Sequence, residues 1–259
     1  MTEKFMRFSM AAIFVLLTGV FAGCASLDND SISESDLSVE ALEARMAEKV
    51  DPTGAYRKSK GFVFRQTIKI PQFLDDDIET MVETKMLLPD KFRITTLQDN
   101  EPIQIICSNG TSGWMSESSG KKLKILEGEK LQQLLTLSKL GTPAGGYRKI
   151  FSKVDIFRCS NDDGDFYVLD CIGRNGNTFR FYIDDEEFLL RRMTGRMNVG
   201  NGFLNYDSRV KSYGLFSGVM IPKVTETTQN GQKQIIELIK YELNPEIAET
   251  DFLPPVFDK

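Results

Sequence analysis

The feature that most constrains the fold is a two-residue alternation of apolar and polar side chains that recurs along most of the chain. In residues 61–71, Phe62, Phe64 and Ile68 lie on one side of an extended backbone, with polar residues on the other. Turn sequences such as Asn230-Gly231 separate further stretches of this kind. These cover residues 77–88, 91–97, 102–108, 113–117, 147–159, 165–173, 177–184, 187–197, 203–213, 218–228 and 233–243. The pattern predicts one antiparallel meander.

Only two segments have helical spacing instead. Val39, Leu42, Met46 and Val50 recur every three or four residues, and Ser38 stands at the N-cap position. The second segment, residues 129–140, is rich in leucine. So many strands with so few helices exclude a βαβ fold and leave a sandwich, a closed barrel or a curved sheet. The number of strands predicts a mainly β (α+β) fold. Because a leucine-rich helix needs an apolar surface to cover, we expect a strongly curved antiparallel sheet, or unclosed β-barrel, with helices on its concave face.

The N-terminus has the pattern of an export signal. Lys4 and Arg7 precede an apolar run from Met10 to Phe21, which is too short for a stable transmembrane helix, and Ala22-Gly23-Cys24 follows. This junction resembles the lipobox of bacterial lipoproteins, in which the cysteine becomes the first mature residue and is acylated. A plain secretory signal with a chance cysteine is the alternative.

These features predict three segments. Residues 1–23 are a signal peptide, residues 24–37 a lipidated flexible tether rich in Ser, Asp and Glu, and residues 38–259 the folded domain. Ala25 stands where an Asp favours inner-membrane retention in enterobacterial lipoproteins. We therefore expect a protein anchored by lipid in the outer membrane and facing the periplasm.

Composition argues against most enzymes and against nucleic acid. The chain contains no histidine, which removes the usual near-neutral general base and histidine-ligated zinc. The net charge is −5, with no basic block for a phosphate backbone. The acidic runs at residues 75–77 and 184–187 are typical of solvated turns. We expect no enzyme activity, no catalytic residues, no metal and no cofactor.

Three cysteines remain if Cys24 carries lipid. Cys159 and Cys171 flank a predicted hairpin that places Cys159 opposite Phe166 or Tyr167, too far from Cys171 for a disulfide. A bridge from Cys107 to either of them, or three buried reduced thiols, are both left open.

Short motifs in a fixed order point to a known family. They are Leu88-Pro89-Asp90-Lys91-Phe92-Arg93, Asn109-Gly110 with Trp114, Tyr182-Ile183-Asp184 with Leu189-Leu190-Arg191-Arg192, Tyr213-Gly214, Gly218-Val219-Met220-Ile221-Pro222, Asn244-Pro245 and Asp251-Phe252-Leu253-Pro254. Together they resemble the outer-membrane lipoprotein-sorting group, the LolA and LolB carrier and receptor family, over residues 38–256. The resemblance implies an unclosed β-barrel with a helical lid over a cavity for acyl chains, and a role in lipoprotein transport. The LolB branch is itself lipidated, as Cys24 predicts here.

The period-two pattern gives seven candidate residues for a hydrophobic ligand cavity. They are Phe62, Phe64, Ile68, Trp114, Phe179, Phe181 and Leu190. The ligand would be a lipid or the acyl chain of a lipoprotein. The alternative is that these residues form an ordinary packed core and that the protein is a structural or interaction lipoprotein, with a partner protein of the cell envelope.

Overall fold

A computed structural model describes residues 31–72, 76–117, 123–140, 146–173, 176–198 and 202–254. Its three α-helices within those ranges are α1 Val39–Val50, α2 Gly128–Leu140 and α3 Tyr147–Ile150, and a 3-10 turn spans Glu249–Phe252. The strands are β1 Ser31–Glu34, β2 Gly61–Ile70, β3 Ile78–Leu87, β4 Lys91–Gln98, β5 Glu101–Asn109, β6 Gly113–Glu117, β7 Leu123–Leu126, β8 Lys153–Asn161, β9 Gly164–Ile172, β10 Thr178–Asp184, β11 Leu190–Asn198, β12 Phe203–Phe216, β13 Val219–Gln229 and β14 Gln232–Leu243.

The chain is mainly a large antiparallel sheet, and the sheet is not closed, because β1 and β7 each have a strand neighbour on one side only among the described strands. The predicted antiparallel sheet is confirmed, but its strands do not form one meander, because β14 pairs with β2 and β1 pairs with β8. The described residues fall into two compact units. The first unit comprises the described parts of residues 55–142 and 234–259, and the second those of residues 17–54 and 143–233.

The first unit orders its strands β14-β2-β3-β4-β5-β6-β7. Phe62 is paired with Met86, and Met86 with Phe92, so these three side chains share a face. Two residues along, Phe64 shares that face through its partners Tyr241 and Thr84. We call this surface the apolar face. Its other buried members include Ile68, Ile70, Val82, Ile106, Met115 and Leu126.

Helix α2 lies against the β6–β7 end of the apolar face. A Cβ atom built on Gly113 would lie 2.9 Å from Leu131 Cδ1 and 3.2 Å from Leu126 Cβ, so a larger residue there would displace Leu131. Leu131, Leu134 and Leu135 are buried. The leucine stripe predicted from the sequence is therefore the packing surface of α2.

The opposite face of the first unit is covered in part by the C-terminal 3-10 turn. Lys85 Nζ lies 3.1 Å from Asp251 Oδ2, and Arg93 donates to the Asp251 carbonyl at 3.1 Å. Phe252 is buried there.

The second unit orders its strands β1-β8-β9-β10-β11-β12-β13. The hydroxyl of Ser38 accepts the Ala41 N–H and caps α1, as predicted. The Glu43 carboxylate of α1 accepts the backbone N–H of Tyr147 at 2.7 Å, which ties α3 to α1. The α1 residues Val39, Leu42, Met46 and Val50 are all buried.

Three local predictions differ from the structure. The stretch 147–159 is not one strand: Tyr147–Ile150 form one helical turn, and β8 begins at Lys153. Within the predicted tether, Ser31–Glu34 form β1, paired with β8. Strand β7 was not predicted. That the helices cover a concave face stays a prediction.

Candidate functional site

Three of the seven predicted cavity residues meet on the apolar face of the first unit. Phe62 and Ile68 are buried and Phe64 is half-buried. The ring of Phe62 stacks on Tyr241 at a centroid distance of 5.5 Å and on Phe64 at 6.2 Å. Ile68 belongs to a cluster with Ile70 and Val82. The buried ring of Tyr56 also packs against Phe62, at a centroid distance of 5.8 Å. This face therefore combines an aromatic group, in which Phe64 is half-buried, with a purely aliphatic one.

Tyr241 was not predicted as part of this site. It lies in a stretch that the sequence identifies as a strand, but its pairing with Phe64 joins residues far apart in sequence. Local periodicity carries no information about that pairing.

The apolar face also contains polar atoms that have no hydrogen-bond partner among the described residues. They are Thr80 Oγ1, Thr96 Oγ1 and Gln104 Nε2, and all three are buried. The three residues are 7%, 0% and 3% exposed. Such groups are rare in proteins because burying them without a partner costs free energy.

Two more predicted residues, Phe179 and Phe181, lie in the second unit and pack against its own side chains. Phe181 meets Tyr147 edge-on at a centroid distance of 4.7 Å. Phe151 lies 5.2 Å from Phe179 and 6.0 Å from Phe181. Both phenylalanines are 2% exposed. Here α3 and the residue after it fill the space above the sheet.

The remaining two predicted residues are not brought to either aromatic group. Trp114 is paired with Cys107, Cys107 with Arg93 and Arg93 with Lys85, a row that lies on the opposite face of the first unit from Phe62 and Phe64. The reason is that β6 has adjacent apolar residues, Trp114 and Met115, and the buried one is Met115.

Leu190 lies at a register shift between β10 and β11, directly after a turn in which Phe188 has φ of 56°. It is half-buried, and its carbonyl accepts the Tyr213 hydroxyl at 2.6 Å. The period-two pattern does not continue through such a shift.

A cavity of about 340 Å³ opens in the second unit, but it is lined by charged residues. Arg192 makes two hydrogen bonds to Asp207 at 2.9 and 2.8 Å, and Arg209 lies 2.6 Å from Asp163. Arg191 is paired with Asp184 and Glu187. Because these cations already have carboxylate partners, the cavity is not suited to an anionic ligand.

The three described cysteines are free and buried. Cys159 is opposite Phe166, as predicted, and Cys171 is opposite Val154, so the two thiols lie on opposite faces of β8 and β9. Burial raises the pKa of the Cys107 thiol to about 11 and that of Cys171 to about 12. Neutral thiols are weak nucleophiles, so neither has the chemistry of a catalytic cysteine. Cys24 lies outside the described residues.

Among the described residues, no group of His, Cys, Asp and Glu could hold a metal ion. In the same part of the chain, no helix is long and apolar enough to cross a membrane.

Comparisons with known proteins identify the fold. No family model and no curated protein sequence matches the chain. Among solved structures, a LolA superfamily protein from Nitrosomonas europaea has a TM-score of 0.57 and 13% identity over 84% of this chain and 98% of its own. A DUF1329 family protein from Desulfovibrio piger has a TM-score of 0.55 and 10% identity over 83% and 97%.

A third structure, a Vibrio parahaemolyticus domain named for outer membrane lipoprotein sorting, has a TM-score of 0.54 and 11% identity over 83% of this chain and 97% of its own. All three alignments span nearly the whole of the other protein at low identity. The chain therefore has a LolA-like fold.

Proposed function

We propose that this protein is a non-enzymatic lipoprotein, anchored in the outer membrane and facing the periplasm, that binds acyl chains of lipids or lipoproteins on the apolar face of the first unit. The observation that carries the proposal is that face, where Phe64 is half-buried and buried polar groups have no partner among the described residues, whereas Tyr147 and Phe151 cover Phe179 and Phe181 in the second unit. The fold shared with a domain named for lipoprotein sorting supports the same role.

The energetics of an acyl chain require that the site can open. Burial of about fifteen methylenes would contribute on the order of 12 kcal/mol, at about 0.8 kcal/mol each. A carrier that releases its ligand must bury only part of the chain or move a covering element. Helix α2 is the candidate for that element, because it lies on the apolar face through Leu131 and begins at Gly128, whose φ is 56°.

Membrane attachment is proposed through Cys24 alone. Two or more acyl chains on one cysteine give stable anchoring, whereas one chain gives only marginal, reversible binding. Cys24→Ser should therefore leave the protein soluble or unprocessed. Fractionation is the measurement, and a mutant that is processed yet still tightly bound to membranes would contradict lipidation at this residue.

The second candidate function is that of an envelope interaction protein whose interior is filled by its own side chains. The rings of Tyr147 and Phe151 over Phe179 and Phe181 favour this interpretation for the second unit. In that case the protein would act through its outer surface on a partner protein.

Native mass spectrometry separates the two functions. The mature protein, residues 24–259 with Cys24→Ser, would be purified from a host that contains membranes and examined for co-purified lipid. The lipid-binding proposal predicts a bound species of acyl-chain mass that is lost on adding an excess of a fatty-acid methyl ester as competitor. Protein that is folded and free of lipid, and that binds no added acyl compound, would favour the interaction function.

A further inference from the structure

Thr80, Thr96 and Gln104, whose buried polar atoms have no partner among the described residues, lie next to one another. Thr96 is directly opposite Gln104 on one side and Val82 on the other, and Thr80 is two residues from Val82 on the same face. Directly opposed residues of an antiparallel pair have Cβ atoms about 5 Å apart, and diagonal neighbours about 7–8 Å. The three polar groups therefore form a single patch, which we call the polar patch.

All three groups can donate a hydrogen bond. Gln104 Nε2 is a donor only, and each threonine hydroxyl can donate or accept. The patch is bordered by aliphatic side chains, since Ile68, Ile70, Val82 and Ile94 belong to one cluster. A ligand that satisfies the patch must therefore carry an acceptor oxygen attached to an apolar body.

The charge of the residues around the patch decides whether the acceptor oxygen belongs to a carboxylate or to a neutral carbonyl. On the apolar face, β2, β3 and β4 from Phe92 to Thr96 carry only uncharged side chains, and the residue paired with Gln104 on β6 is an acid, Glu117. A carboxylate at this depth would lack a cationic partner and would be costly to bury. A neutral carbonyl has two lone pairs and needs no counter-charge.

We infer that the polar patch of Thr80, Thr96 and Gln104 recognises the neutral carbonyl oxygen at the head of a bound acyl chain, as in an ester or amide, and discriminates against a free fatty acid. This inference rests on the proposed function. It deepens it by assigning the class of ligand: esterified or amidated acyl groups, with the hydrocarbon chain lying along the aliphatic cluster.

The test compares three ligands with the same chain length: methyl dodecanoate, dodecanoate and dodecane. Each would displace a fluorescent acyl probe from the mature protein with Cys24→Ser, at pH 8. We expect the ester to bind more tightly than the free acid. Gln104→Leu should weaken ester binding about tenfold, because it removes a donor, and should change dodecane binding less than twofold. Thr96→Val should act in the same direction.

Thr84→Val is the matched control. Thr84 lies on the same strand and face as Thr80 and is equally buried, but its hydroxyl is not among the unpaired atoms. This variant should keep the ratio of ester to dodecane affinity.

Stability gives a second readout. Replacing an unpaired buried polar group by an apolar one of the same shape should leave the urea midpoint unchanged or raise it, so a loss of ester binding in a folded variant is a direct effect. Equal binding of all three ligands, unaltered by Gln104→Leu and Thr96→Val, would overturn the inference and leave the proposed function standing. Binding of none of the three would overturn both.

Discussion

Each of the two units contains seven described antiparallel strands, yet the side chains on their buried faces pack and pair differently. In the second unit, Tyr147 and Phe151 cover Phe179 and Phe181, and the hydroxyls of Ser208 and Thr227 pair at 2.8 Å. In the first unit, Thr80 and Thr96 have no such partner, and Phe64 is half-buried. A buried face that pairs its own polar groups needs no ligand. A buried face with unpaired donors is suited to a ligand that accepts from them.

The largest loss of stability is expected in the second unit, where aromatic rings pack over Phe179 and Phe181. Phe181→Ala removes a ring that packs against Tyr147 and Phe151, so it should lower the free energy of unfolding by about 3–5 kcal/mol. Urea denaturation is the measurement. Phe203→Ala is the control in the same unit, because Phe203 is 47% exposed and its removal should cost far less. Similar losses for the two variants would show that the second unit is not packed as described.

A smaller loss of stability, but a loss of binding, is expected on the apolar face. Phe64→Ala should cost about 1–2 kcal/mol, since only part of the ring is buried, and should weaken binding of a fluorescent fatty-acyl ester several-fold. Trp114→Ala is the matched control: it removes another half-buried aromatic ring, but from the opposite face, and should leave binding unchanged. A greater effect of Trp114→Ala than of Phe64→Ala on binding would place the ligand on the face opposite the apolar face.

The packing of α2 can be tested at Gly113. Gly113→Val places methyl groups where Leu131 Cδ1 lies, and overpacking of this kind costs about 1–3 kcal/mol. Hydrogen exchange across residues 128–140 should become faster, while exchange in the second unit should not change. Adding Leu131→Ala should restore slower exchange by making room. If α2 in the single mutant exchanges as slowly as in the wild type, its contact with the sheet is not close.

The smallest expected effect is a difference in stability between a variant that breaks a hydroxyl pair in the second unit and one that removes an unpaired hydroxyl in the first. Ser208→Ala leaves the buried Thr227 hydroxyl without its partner and should destabilise the protein by about 1 kcal/mol. Thr96→Val should be neutral or slightly stabilising, because the hydroxyl that it removes is unpaired. Urea midpoints of the two variants measure the difference. If Thr96→Val lowered the urea midpoint more than Ser208→Ala, the two units would not differ in how their buried hydroxyls are paired.

Much of the fold could be predicted because alternation is a local property. The strands, the capped helix α1 and the leucine stripe of α2 all follow from spacing within a dozen residues. The helical turn Tyr147–Ile150 was missed because a single turn is too short to show a helical period. Strand β1 was missed because Ser31–Glu34 are fully exposed and have no apolar pattern.

The candidate site was harder to predict, since it depends on which residues face each other across strands. Phe62, Phe64 and Ile68 could be grouped because they share one strand. The pairing of Phe64 with Tyr241, and of Thr96 with Gln104, depends on register, which the sequence of one strand does not contain. A threonine in a strand looks the same whether or not its hydroxyl finds a partner.

The central claim is that acyl chains bind on the apolar face of the first unit and not among the aromatic rings of the second. Photolabelling tests it most directly. A methyl ester of a long-chain fatty acid bearing a diazirine would be irradiated with the mature protein carrying Cys24→Ser, and the labelled peptides mapped by mass spectrometry. We predict saturable labelling in residues 62–106, around Phe64, Val82 and Thr96, and none around Phe179 and Phe181. Saturable labelling confined to the peptides of Phe179 and Phe181 would contradict the account.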